Sequence, residues 1–137
     1  MCLAVHVELL GVPSDRAVEI GAQCSSASDL IVRPVARSEA TPNCHFSILE
    51  YSEGCACNML VESATSEAAT WSFRPEVLPR LGTVLRCLLA RTRSGVVFEA
   101  AWIGDDEPME VRVSVRELLA AIEAGSIKTR TRYLAAA

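Results

Sequence analysis

The sequence predicts an α+β protein built on an antiparallel sheet, and three observations carry that expectation. Leu3, Val5, Val7 and Leu9 alternate with Ala4, His6, Glu8 and Leu10, the period of two required of a strand with one buried face. Val77, Leu78, Leu81, Val84, Leu85, Leu88 and Leu89 recur at the spacing of an amphipathic helix. Around these two segments, short β-rich runs are set off by clusters of Gly, Pro, Ser and Asn.

The first strand ends at Gly11-Val12-Pro13. Ser14 then offers a helix N-cap with Asp15 in the first turn, and Ala17, Ile20, Gly21 and Cys24 follow at helical spacing. Gly21 and the serines 25, 26 and 28 are expected to weaken and stop this helix before a strand at Asp29–Arg33, which Pro34 either places at a sheet edge or ends early. His45–Ser52 and Cys55–Val61, on either side of Glu53-Gly54, are expected to pair as a hairpin. The stripe from Val77 to Leu89 forms the second helix, with Pro75 and Pro79 confined to its first turns. Val96–Ile103 and Met109–Val113 read as a further hairpin around Gly104–Pro108. Ser114-Val115-Arg116-Glu117 is a capping box, opening a third helix that Gly125 closes. Residues 126–137 read either as an extended tail or as an added strand. In chain order, the elements up to Ile103 are β-α-β-β-α-β, the split β-α-β arrangement of ferredoxin-like folds, with an added C-terminal strand and helix.

At 137 residues, half of them apolar and 22% charged, the chain matches one packed domain, residues 1–137, and not a disordered one. Its apolar runs are broken by His6, Glu8, Arg86 and Glu99, well short of the roughly 18 residues a membrane helix needs. The opening residues lack the basic start and small-residue cleavage site of a signal peptide. Six cysteines in so apolar a chain suit free thiols in a reducing compartment, and hence a cytoplasmic location, better than a disulfide framework. A net charge of −4 spread over both signs provides no field to gather nucleic acid.

The sharpest local feature is Gly54-Cys55-Ala56-Cys57 with Cys44-His45 upstream, because thiolate and imidazole together suit Zn(II) and thiolates alone suit Cu(I). On a strand, Cys55 and Cys57 share a face and can reach one ion, with Cys44 or His45 completing the site. A tight hairpin around Glu53-Gly54 would instead leave Cys44 roughly 16 Å from Cys57. The plain alternative is cysteines packed in a core. A thiol-dependent enzyme would need His6 or His45 beside a cysteine to lower its pKa. Lys128, Arg130 and Arg132 put cations at alternate positions beside Tyr133, a face able to grip phosphate or an acidic partner, or else a charged edge that discourages aggregation. Asp105-Asp106-Glu107 reads as a solvated turn. No G-x-G-x-x-G, P-loop, H-E-x-x-H or G-x-S-x-G motif is present.

With core material in plenty and no assembled catalytic set, the expected function is a non-catalytic module binding a small molecule or a protein, and the chain is also a candidate homodimer. Trp71, Phe73 and Trp102 are candidates to line its surface. A thiolate metal or redox protein centred on Cys55 and Cys57, and a thiol enzyme, are the competing expectations.

Overall fold

The computed structural model describes residues 3–35, 43–51, 56–61, 72–102, 107–128 and 131–136. The alternation at the start of the chain becomes strand β1 (Leu3–Pro13), with Leu3, Val5, Val7 and Leu9 buried and the residues between them half-buried. Its pairing with the third strand slips between Leu9 and Pro13, where Gly11 adopts a φ of 74°. Such a conformation costs glycine little and other residues more.

Helix α1 (Ala17–Ser28) runs through the serine cluster expected to stop it. Ser28 Oγ donates to the Cys24 carbonyl at 2.7 Å, and Ser25 Oγ donates to the Gly21 carbonyl at 2.7 Å. These hydroxyls bond back to carbonyls one turn earlier, so the serines are accommodated within the helix instead of ending it. Ser25 Oγ also accepts from Val32 N at 2.8 Å, tying the helix to strand β2 (Ile31–Pro34). The helix ends where Asp29 turns left-handed, with a φ of 62°.

Strand β3 (Asn43–Leu49) forms as expected, but its hairpin does not. Ala56–Met59 is a short 3-10 turn leading into β4 (Leu60–Val61), which pairs with β5 (Ser72–Phe73) in a separate two-stranded sheet. Ala56 and Met59 are buried, so the segment follows the core and not the β3 ladder. An ion pair between Arg74 and the buried Glu50 joins this small sheet to the end of β3.

Helix α2 (Leu78–Leu89) has Pro79 in its first turn and buries Leu81, Val84, Leu85 and Leu88. It is followed by β6 (Gly95–Trp102), β7 (Met109–Ser114), α3 (Val115–Glu123) and β8 (Thr131–Ala136). Ser114 caps the helix as its place in that pattern predicts, its Oγ accepting from Glu117 N at 3.0 Å. Of the last residues, Thr131–Ala136 form a strand and not an extended tail.

Six strands form one mixed sheet in the order β2-β3-β1-β6-β8-β7. All pairs are antiparallel except β7 with β8. This corrects the purely antiparallel expectation, and the order is not that of a simple split β-α-β sheet. It also removes the expected β6–β7 hairpin, since β8 lies between the two. The physical reason is α3: a helix linking β7 to β8 carries the chain back over the sheet, so the strands it joins run parallel. Thr131, Tyr133 and Ala135 of β8 are buried, which its place between β6 and β7 explains.

The helices pack together on the side of Val7, Phe46 and Phe98. The carbonyl of Val32 and the ring of Phe46 touch the site of Gly21, and α2 contacts both α1 and α3. One connected apolar cluster fills this side. Among the described residues, no helix is long and apolar enough to cross a membrane.

Candidate binding face

Because strand side chains alternate, burying one set of residues against the helices leaves the other set on the opposite face. There the cross-strand registers align one residue from every strand into a single row: Arg33, Ser47, His6, Glu99, Arg132 and Glu110. All six are polar, and at strand spacing the row spans about 24 Å. Its middle members are half-buried, while Arg33 and Glu110 at its ends are exposed. Arg132 Nε donates to Glu99 Oε2 at 2.9 Å, and the Glu99 side chain is only 16% exposed.

A second polar group lies beside the row. Glu8 pairs with His45 across β1 and β3, and His45 Nε2 lies 3.4 Å from Glu8 Oε1. The other carboxylate oxygen accepts from Asn43 Nδ2 at 3.0 Å, while Asn43 Oδ1 accepts from Gly11 N at 3.2 Å. The bulge at Gly11 thus positions Asn43, Asn43 positions Glu8, and Glu8 orients the imidazole of His45.

The residues anticipated as metal ligands are spread through the fold. Cys55 lies outside the described residues. Cys44 and His45, neighbours on β3, take opposite faces: Cys44 is fully buried on the helix side, and its thiol donates to the Pro13 carbonyl at 3.0 Å. Burial pushes the Cys44 thiol up, the charge of Asp15 adds to this, and Arg16 opposes it. Cys57 sits in the 3-10 turn, where its sulfur accepts from Leu3 N at 3.1 Å. Leu3 and Leu9, the latter paired with Cys44, are about 20 Å apart along β1 at strand rise. Cys44 and His45 are therefore not brought to Cys57. Among the described residues, no group of three or more His, Cys, Asp or Glu side chains is placed to hold a metal ion.

The basic segment is divided in the same way. Arg130 is outside the described residues, Lys128 precedes β8, and Arg132 joins the polar row. Tyr133 turns to the buried side, where its hydroxyl accepts from Lys128 N at 3.0 Å. Of the aromatic candidates, Phe73 is buried, and the side chains of Trp71 and Trp102 are outside the described set.

Ser47, His6 and Glu99 stand side by side in the row, the residue types of a hydrolase relay. Two features turn this arrangement away from acyl transfer. The Glu99 carboxylate is engaged by Arg132. Ser47 lies inside a ladder paired on both sides, by β1 and by β2, so its surrounding amides belong to the sheet and not to an oxyanion hole.

The sequence marks Glu8 as an interruption of an apolar strand and His6 as that and as a candidate imidazole beside a thiol, but it does not mark Ser47, Glu99, Arg33 and Glu110 as a group. The alternation that exposes each was present in the sequence, but the register that aligns them was not. No family model, no curated protein and no solved structure matches this chain.

Proposed function

We propose that the protein is a non-catalytic binding module that receives a protein partner on the sheet face opposite the helices, along the row from Arg33 to Glu110. The observation that supports this reading is the row itself: polar residues in register across all six strands, on the face opposite the helices. Small molecules are usually held in concave, largely apolar pockets. A line of alternating charge about 24 Å long suits the flatter surface of a protein, whose complementary charges would set register and specificity. The partner expected is a protein presenting both acidic and basic side chains. Part of the same reading is that the β1-α1-β2-β3-α2-β6 portion is a ferredoxin-like split β-α-β unit, supported by the neighbour order β2-β3-β1-β6, with β8 and β7 extending it.

Site-specific photocrosslinking in cells of the source organism tests the proposal. A photoreactive residue at Ser47 should give a discrete protein adduct that Arg132→Glu abolishes, while the same probe at Arg116 on α3 should not. Equal labelling from both positions, or an adduct indifferent to Arg132→Glu, overturns the partner face. Elemental analysis of protein purified under reducing, chelator-free conditions separates this reading from a thiolate site at Cys55 and Cys57. Stoichiometric zinc or copper, lost on replacing both cysteines with serine, would overturn the non-metal reading.

A further inference from the structure

The two edges of the six-stranded sheet are unlike. Strand β2 has four residues and ends in Pro34, and short length and proline both blunt an edge. Strand β7 has six residues, Met109–Ser114, with no proline among them, and among the described residues it pairs on one side only, with β8. At its start Met109 is 67% exposed, one of the few large apolar side chains left in water.

We infer that β7 is a homodimer edge: two copies pair antiparallel through it about a two-fold axis at Val111, joining their sheets into one. The occupant follows from charge complementarity. Antiparallel pairing centred on residue 111 sets position 110 opposite position 112 of the second copy, and position 109 opposite position 113. Glu110 then faces Arg112 of the second copy, and by symmetry Arg112 faces its Glu110, giving two opposite-charge cross-strand pairs from one register. On the helix side of the sheet, the same register lays Met109 over Val113 of the second copy and brings the two Val111 side chains together. The unpaired backbone groups of β7 gain partners, and Met109 loses its contact with water. Glu110 also ends the polar row, so the row meets Arg112 of the second copy at the junction. This inference does not rest on the proposed partner face, and either can fail without the other.

Sedimentation equilibrium on the wild-type chain, on Arg112→Glu and on Glu110→Arg tests it. The wild type is expected to approach twice the chain mass as concentration rises. Each variant alone sets like charges opposite each other at both positions and should weaken the dimer by about tenfold or more. An equimolar mixture of the two variants should recover the dimer, because every 110–112 contact in the mixed pair is then an attraction. Thermal melts establish that each variant is folded. Should either fail to fold, added salt carries the test in the wild type, whose exposed ion pairs it screens and whose dimer it should loosen. A wild type monomeric at every soluble concentration overturns the inference, as does a dimer indifferent to both variants and to salt. A dimer that the single variants weaken but their mixture does not restore overturns the register.

Discussion

His45 Nε2 lies 3.4 Å from Glu8 Oε1 on the sheet face opposite the helices, and the imidazole is only 6% exposed. Glu8 accepts from Asn43 and faces His45 across the ladder, so removing it takes an acceptor from the Asn43 amide and the facing carboxylate from the imidazole. Losing an acceptor in a partly buried network costs the desolvation of the groups left behind. Glu8→Ala is therefore expected to destabilise the protein by about 1–3 kcal/mol in urea denaturation, and Glu8→Gln, which keeps one carbonyl acceptor, by less. Equal stability of wild type and Glu8→Ala would mean that the network contributes nothing to the fold.

Ser114 stands between β7 and α3 with an extended backbone, φ −78° and ψ 160°, and its hydroxyl accepts from Glu117 N. Without that acceptor, one amide of the helix start loses its partner. Ser114→Ala is expected to cost about 1 kcal/mol, and Ser114→Asp, which retains an acceptor and favours the helix dipole, to cost little. Thermal melts of the three proteins give the ranking directly.

The signals visible in the sequence were those carried by neighbours along the chain. The alternation of β1, the stripe of α2 and the N-cap serine of α3 each need only a few residues, and each is present. What the sequence concealed was which strands meet. Val96–Ile103 and Met109–Val113 resemble a hairpin because they are close in sequence, yet β8 separates β6 from β7. Its buried set of Thr131, Tyr133 and Ala135 includes two residues of low apolar weight, so this interior strand carried one of the weakest patterns. The polar row was hidden for the same reason: its members come from six strands, and only register brings Ser47, His6 and Glu99 together.

Gly21 illustrates a residue whose meaning reversed. In isolation a glycine within a helix costs roughly 1 kcal/mol relative to alanine, which suggests that Gly21→Ala would stabilise α1. Here α1 crosses β2 so closely that an added Cβ would lie 2.7 Å from the Val32 carbonyl oxygen, with the Phe46 ring and Pro34 each at 3.4 Å. The obstructing atom is backbone, and moving it disturbs the Ser25–Val32 hydrogen bond as well. Gly21→Ala should therefore be destabilising by about 1–3 kcal/mol despite its better propensity. A higher melting temperature for this variant would show that the helix can lift off β2 at no cost.

Cys24 gives the fold a dependence on alkaline pH. It is fully buried in α1, beside Cys87 of α2. Burial first, then the hydrogen bond and charge of Cys87, push its thiol up from 9.0 to about 12, with Arg91 pulling the other way. Arg91 is itself tied to α1, since its guanidinium donates to Gln23 Oε1 at 2.6 Å. The raised value means that the folded chain holds this proton more tightly than the unfolded chain does. The resulting stability is fully present below pH 9, declines as the pH climbs and is gone by about pH 12. At neutral pH Cys24 should alkylate far more slowly than a free thiol, because both the thiolate and access are lacking. Cys24→Ala removes the titrating group, so between pH 9 and 12 its urea midpoint should fall less steeply than that of the wild type. Parallel curves would place the alkaline transition on another group.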